Sequence, residues 1–287
     1  MAHPCICLDV GGTQIKAAAV SADGGLRTPL RVWDAHAGEE AEKVLDHLAS
    51  IARQAGGAQA PQDVRLAFPG PFDYENGICQ MRGVAKYDRL YGVNVRLALA
   101  QRLNLTPQRL RFCNDAAAFA LGEMAFGDAA GAQRAMFVCV GTGCGSAFGV
   151  NGRLAPEGFP GVPPGGLIYN APFLSSCVDD HLSRRGLMAL SLERMGEALD
   201  GKALAQRAKA GDREAIACFE AFGERLRDGL EPFVRAFEPQ LVCLGGQIAQ
   251  SADRFCGPLA SLCRRRQATL RVTRDTSLRT LQGLLRI

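Results

Sequence analysis

Leu8-Asp9-Val10-Gly11-Gly12-Thr13-Gln14-Ile15-Lys16 joins two apolar runs through a pair of glycines. The run before it, from Pro4 to Val10, is too short for a helix. The run after it, Gln14 to Val20, ends at the turn-like Ala22-Asp23-Gly24-Gly25. Together they predict two strands of a hairpin closed by a Gly-Gly-Thr turn. Adjacent glycines let the backbone turn tightly and leave N–H groups open to an anion. Thr13 adds a hydroxyl donor and Lys16 a cation. Asp9, at the strand end, is the residue type that holds a magnesium ion through water, because that ion keeps part of its hydration shell. A hairpin with glycine at its turn and a solvated aspartate at its edge fits the same residues, so the turn needs company.

Moving outward, Thr28–Asp34 predicts a third strand. Residues 38–56 predict a helix, with Val44, Leu45, Leu48, Ile51 and Ala52 at helical spacing. Val64–Phe68 reads as a strand that breaks at Pro69-Gly70-Pro71, where a helix cannot continue. Residues 96–103 read as a helix, 110–113 as a short strand and 115–126 as an Ala-rich helix. Strands follow at 135–140 and 146–150 around a second glycine-rich turn. Shifted by 130 positions, Val10, Gly11, Ala17 and Val20 fall on Val140, Gly141, Ala147 and Val150. Both segments are strand, Gly/Thr turn, strand, which suggests two lobes of related architecture. Residues 154–172 are a Pro/Gly loop long enough to expect a function. Residues 212–237 form an amphipathic helix. A strand at 241–244 ends at Gly245-Gly246, from which another helix starts. Alternating strands and helices predict an α/β protein.

Composition sets bounds. A chain of 287 residues with 47% hydrophobic and 22% charged residues can bury two cores, and disorder does not describe it. A net charge of +4 tolerates phosphates but is far from a nucleic-acid footprint. The run Arg264-Arg265-Arg266 reads as a solvated helix C-terminus. The 11 cysteines are odd in number, include no Cys-x-x-Cys pair and follow no secretory leader; six of them lie in or beside β-like runs. Reduced thiols in a cytoplasmic protein are therefore expected. No apolar stretch reaches membrane-spanning length.

Two further constellations carry chemistry. Val140-Gly141-Thr142-Gly143-Cys144-Gly145-Ser146 offers alternate glycines and a threonine. It is no Walker A loop, since no Gly-Lys-Ser/Thr follows, and no dinucleotide fingerprint, since a strand follows. Asn114-Asp115 lies between a strand and a helix, where both residue types are preferred caps. A carboxylate there is also stabilised by the helix dipole, as a base accepting a hydroxyl proton needs. Capping and catalysis do not exclude each other.

Asp9-x-Gly-Gly-Thr-x-Ile-Lys16, Pro69-Gly-Pro-Phe-Asp73, Asn114-Asp115 followed by Ala120-Leu-Gly-Glu123, Gly141-Thr-Gly-x-Gly145 and Leu244-Gly-Gly246 occur in that order. In this the chain resembles the ROK family, bacterial sugar kinases and sugar-responsive repressors of the actin/hexokinase/Hsp70-like ATPase superfamily, from Cys5 to about Gly283. The resemblance implies an α/β fold of two RNase H-like lobes flanking a nucleotide and sugar cleft. The N-terminal lobe would span 1–115, with a C-terminal helix at about 275–287 packing back on it, and the C-terminal lobe 116–274. Asp9, Gly11, Gly12, Thr13 and Lys16 match the first phosphate loop, and Gly141, Thr142, Gly143 and Gly145 the second. Gly245 and Gly246 match the adenosine turn. Asp115 matches the catalytic base, with Asn114, Gly70, Pro71 and Glu157 beside the sugar. ATP and Mg²⁺, the latter through Asp9, are the implied cofactors.

Departures accompany the match. Many ROK members carry a Cys-x-Cys-Gly-x-x-Gly-Cys zinc motif with an upstream Gly-His, and this chain has neither. Cys177 and His181 could supply two ligands where a closed zinc site needs four, so no zinc is expected. Glu157 stands near the place of the family's sugar-binding glutamate; an exposed loop charge is the alternative. The repressors add an N-terminal helix-turn-helix, for which Asp9 leaves no room, so neither nucleic acid nor membrane is an expected partner. A homodimer is compatible with the resemblance. A non-catalytic sugar sensor of the same fold, and a kinase using polyphosphate as donor, remain the competing readings.

Overall fold

The computed structural model describes residues 3–83 and 86–287. β1 (Cys5–Val10) and β2 (Gln14–Val20) pair antiparallel from Cys5–Val20 to Val10–Ile15. β3 (Arg31–Asp34) adds to β2. After α1 (Ala41–Gly56), β4 (Val64–Phe68) lies parallel to β1. A small hairpin of β5 (Phe72–Asp73) and β6 (Ile78–Cys79) leads to α2 (Val95–Leu103). β7 (Leu110–Asn114) then pairs parallel to β4, completing the sheet order β3-β2-β1-β4-β7.

Alternation along β1 explains why this sheet is covered on both faces. Ile6, Leu8 and Val10 bury against α1 and α2 residues such as Leu45, Leu48 and Leu99. Cys5 and Cys7 point the other way, toward Ala118, Leu281 and Leu284. The cysteines here are small hydrophobes, and all 11 are free thiols. The helix predicted over 38–56 starts at Ala41, because Glu40 is still extended at φ −60° and ψ 148°.

The second sheet repeats the first. β8 (Arg134–Val140), β9 (Cys144–Val150) and β10 (Arg153–Leu154) form the antiparallel part. β11 (Pro172–Phe173) and β12 (Ser176–Cys177) make a separate hairpin. α4 (Val178–His181), α5 (Arg184–Met195), α6 (Gly201–Lys209) and α7 (Arg213–Phe237) precede β13 (Leu241–Gly245). α8 (Gly257–Arg265) and β14 (Thr269–Val272) close the order β10-β9-β8-β13-β14. The helix expected directly after Gly246 begins as a 3₁₀ stretch, Ile248–Arg254. β14 went unread in the sequence, since Thr269-Leu270-Arg271-Val272 is too short to show a period.

The internal repeat is real, but its register changes at the turn. The innermost pair is Val10–Ile15 in the first hairpin and Val140–Cys144 in the second, so the second turn is one residue shorter. Val10 and Gly11 do correspond to Val140 and Gly141. Beyond the turn, Lys16 corresponds to Gly145 and Ala17 to Ser146. The matches Ala17/Ala147 and Val20/Val150 are therefore coincidences of spacing. The Asp9–Lys16 pair on β1 and β2 has only Cys139–Gly145 as its counterpart.

The chain divides into two compact units: residues up to Gly127 together with Ser277–Ile287, and Asp128–Thr276. The boundary expected after Asp115 falls after Gly127 instead. The reason is that α3 (Asp115–Phe126) packs on the first sheet and against α9 (Thr276–Gly283). Gly122 meets the Arg279 carbonyl and Gly283 the Ala118 carbonyl so closely that a Cβ at either position would overlap backbone. No helix among the described residues is long and apolar enough to cross a membrane.

Candidate active site

The first unit gathers its polar residues at the carboxyl ends of β1, β4 and β7. In the Gly11–Gln14 turn the Gly11 N–H donates to Gln14 O at 3.0 Å, and a Cβ on Gly11 would lie 2.8 Å from that oxygen. Gly11 is therefore a closure residue, while the N–H groups of Gly12 and Thr13 make no hydrogen bond among the described residues. Tyr87, with its ring fully buried, donates its hydroxyl to Gly11 O at 2.8 Å and pins the turn from beneath.

Asp9 keeps partial exposure yet is enclosed enough that burial lifts its carboxyl to about 6. Lys16 opposes that rise, the nearby Asp115 charge adds to it, and the Ser277 hydroxyl offsets part of it. Lys16 Nζ also donates to Ser277 Oγ at 2.7 Å. A carboxylate raised by burial and by a neighbouring carboxylate's charge makes a place where a cation is welcome.

Asn114 and Asp115 are oriented by the start of α3. Asn114 Oδ1 accepts from the Ala116 and Ala117 N–H groups at 3.0 and 3.2 Å, the N-cap arrangement. Its amide nitrogen must then face outward, where it donates to Tyr74 Oη at 3.3 Å and has a second N–H to offer. Asp115 Oδ1 accepts from Ala116 N at 2.9 Å, leaving its other oxygen able to take a proton. Burial raises the Asp115 carboxyl, while Lys86, the Ala116 N–H and Asn114 hold it down. Tyr74 in turn donates to Phe68 O at 3.0 Å, and its hydroxyl lies 3.4 Å from where a Gly70 Cβ would be. Gly70 and Pro71, joined by a cis peptide bond, form the exit from β4 beside this cluster.

At the corresponding end of the second sheet, the Gly141 N–H donates to Gly143 O at 2.9 Å, leaving the Thr142 and Gly143 N–H groups without a partner among the described residues. Gly145 is a strand residue paired with Cys139 rather than part of the turn. Gly245 ends β13, also opposite Cys139. Gly246 has φ +96° and sits against the Val140 backbone, where any Cβ would overlap it. A Cβ on Gly141 would be 3.8 Å from Gln247 N, so both glycine turns of this unit meet at one sheet end.

Four residues join these clusters that the sequence did not single out. Tyr74, Lys86 and Ser277 come to the first unit's site, and Asp179 comes to the second turn. Asp179 Oδ1 accepts from Cys144 N at 2.6 Å, would lie 2.8 Å from a Gly143 Cβ, and shares its carboxylate with Arg185. The signal for Asp179 was its place between Cys177 and His181, the two residues weighed as zinc ligands; the others arrive from loops and a distant helix with no local motif. Glu157 is exposed and accepts from Gly165 N at 3.2 Å. Cys177 Sγ donates to Asp180 at 3.4 Å, and His181 bonds Ser176 Oγ at 3.1 Å. Among the described residues no group of three or more His, Cys, Asp or Glu is placed to hold a metal ion.

Comparison with known proteins agrees with this geometry. The glucokinase of Thermotoga maritima is 28% identical over 276 residues, covering 88% of this chain and 85% of its own. An N-acetyl-D-glucosamine kinase of Pasteurella multocida is 27% identical, covering 84% of this chain and 83% of its own. The crystal structure of a ROK family glucokinase from Streptomyces griseus, in complex with glucose and AMPPNP, superposes with a TM-score of 0.81 at 19% identity, over 99% of this chain and 98% of its own. That neighbour establishes the actin-like ATPase fold. The ROK family sequence pattern matches residues 5–272, and the chain belongs to the ROK family.

Proposed function

We propose that this chain transfers the γ-phosphoryl group of ATP to a hydroxyl of a hexose or amino sugar, with Asp115 as the general base. The observation that carries this reading is the division of labour at the head of α3. Asn114 can only donate outward, because its carbonyl oxygen is taken by the helix cap, and Asp115 can only accept. A sugar hydroxyl flanked by those two groups has its proton aimed at a carboxylate and its oxygen freed for attack. The names of the two curated relatives support a sugar as the acceptor.

Phosphoryl transfer asks a protein chiefly for positioning and charge neutralisation. In this reading the Gly12 and Thr13 N–H groups and the Thr13 hydroxyl hold phosphate oxygens, as do the Thr142 and Gly143 N–H groups of the second turn. Gly11, Gly141 and Gly145 keep the two hairpins tight, and Gly245-Gly246 receives the adenosine. Lys16 neutralises Asp9. Mg²⁺, when bound with ATP, supplies charge neutralisation at the phosphates; Asp9 is the residue to hold it through water, and the mutual repulsion of Asp9 and Asp115 favours a cation there. Gly70 and Pro71 border the sugar in this reading, and Glu157, whose carboxylate accepts from the Gly165 N–H, is the further residue assigned to it. The cytoplasm, with its ATP and reducing conditions, is the expected compartment, and a homodimer the assembly to test.

The test is an ADP-release screen of the purified protein over a panel of monosaccharides and amino sugars, with ATP and polyphosphate as alternative donors. Sugar-dependent ADP release is expected. Turnover with polyphosphate alone would change the donor. Sugar-dependent thermal shifts with no turnover under either donor would refute the kinase reading in favour of a sensor.

A further inference from the structure

The cation that the sequence points to beside the first glycine turn is already committed. Lys16 Nζ donates to Ser277 Oγ at 2.7 Å, and its charge offsets Asp9, its partner across the β1–β2 pair. A second lysine stands nearer the proposed chemistry. The stem of Lys86 crosses the turn at Gly12: a Cβ there would lie 3.2 Å from Lys86 Cδ and 3.7 Å from Lys86 Cβ. Its charge acts on Asp115, where it is the foremost influence opposing the effect of burial. Lys86 is in no salt bridge among the described residues. One lysine thus lies over the turn with open N–H groups and acts through its charge on the base.

Its placement is enforced by the next residue. Tyr87 is held in the left-handed region at φ 55°, its N–H donates to Ala37 O at 2.8 Å, and its hydroxyl reaches Gly11 O at 2.8 Å. A non-glycine residue in that conformation costs free energy that the surrounding packing must offset, so the segment is held rather than loosely draped. The anchor ties the backbone of Lys86 to the very turn its side chain crosses.

Resting on the kinase reading above, we propose that Lys86 is a catalytic residue whose ammonium touches the phosphoryl group as it passes from the Gly11–Thr13 turn to the hydroxyl held by Asp115. A cation confined to the turn would bind the phosphates of ATP equally before and during transfer. One that spans turn and base meets the equatorial oxygens best midway, and so acts on kcat rather than on KM.

The test compares wild type with Lys86→Met, which keeps the apolar stem over Gly12 but no charge, and with Lys86→Arg. For each, kcat, the KM of ATP, the KM of the best sugar in the panel and Tm are measured. Lys86→Met is expected to lower kcat by about 10²–10³-fold, as loss of one preorganised charge-stabilising group does. Its sugar KM should stay within about threefold and its Tm unchanged, and Lys86→Arg should recover at least about tenfold of the loss. A Lys86→Met kcat within about threefold of wild type overturns the assignment. So does a defect confined to sugar KM, or one that tracks a fall in Tm and is not relieved by arginine. Should the methionine variant fail to fold, acetylation of Lys86 in the wild-type protein decides: AMPPNP with glucose should slow it by about tenfold, and unchanged labelling overturns the proposal. A wild type that phosphorylates no sugar from ATP sinks the kinase reading and this one with it, whereas an active wild type beside an unimpaired Lys86→Met sinks this one alone.

Discussion

Replacing Asp115 by asparagine removes one charge and almost no volume, and the structure separates its catalytic effect from its structural one. The helix cap survives, because it is made by Asn114 Oδ1 with the Ala116 and Ala117 N–H groups at 3.0 and 3.2 Å. The bond from Ala116 N to Asp115 Oδ1, 2.9 Å, can be accepted equally by an asparagine carbonyl. What vanishes is the oxygen that takes the proton. A positioned general base contributes roughly 10²–10⁴-fold, about 2.7–5.4 kcal/mol at 1.36 kcal/mol per tenfold, so kcat should fall by that factor. Stability should move the other way. The Asp115 carboxyl is raised in the folded protein, chiefly by burial, so its ionised form burdens the fold above its folded pKa and the burden fades as pH falls through it. Asp115→Asn should therefore match or exceed the wild-type Tm at pH 8, with the difference shrinking toward acid. Coupled ADP release and a thermal melt at several pH values read both effects. A kcat within about fivefold of wild type, or a Tm that drops, refutes the reasoning.

Asp9→Asn should abolish most activity yet stabilise the ligand-free protein. With the folded pKa raised to about 6, the gain should be full above pH 6 and vanish toward the ordinary carboxylate range; a gain that grows in acid would contradict the assigned burial. Gly246→Ala should cost at least about 1–3 kcal/mol from the positive φ, and more from displacement of Val140, measurable as a lower urea midpoint; an unchanged midpoint would show that the turn can rearrange. Tyr74→Phe removes the hydroxyl that links Asn114 to Phe68 O. It should raise the sugar KM by about tenfold with the ATP KM unaltered, and steady-state kinetics showing the reverse would remove Tyr74 from the sugar site.

Much of the scaffold could be read along the chain because its signals are local. β4 runs from Val64 to Phe68 and α3 from Asp115 to Phe126, each ending where proline, glycine or a capping side chain stops it. The two glycine turns stand out for the same reason: no other residue tolerates the closeness of Gln14 O to Gly11 or of the Val140 backbone to Gly246. What spacing alone could not supply was register. The one-residue difference between the hairpin turns turns two of four apparent identities into accidents. Nor could it assign α3 to the first unit, since that depends on Gly122 and Gly283 letting two helices from opposite ends of the chain touch.

The sequence by itself determined where strands turn and which carboxylate heads a helix, because each is written within a few residues of itself, and it pointed to the family through the order of five such short motifs along the chain. Tertiary structure alone decided which cation serves which carboxylate. Lys16, near in sequence, is taken up by Asp9 and Ser277, and Lys86 comes to Asp115 from a separate segment. The physical reason is that a charge interacts with whatever folding brings within a few ångströms, and no local periodicity encodes that distance.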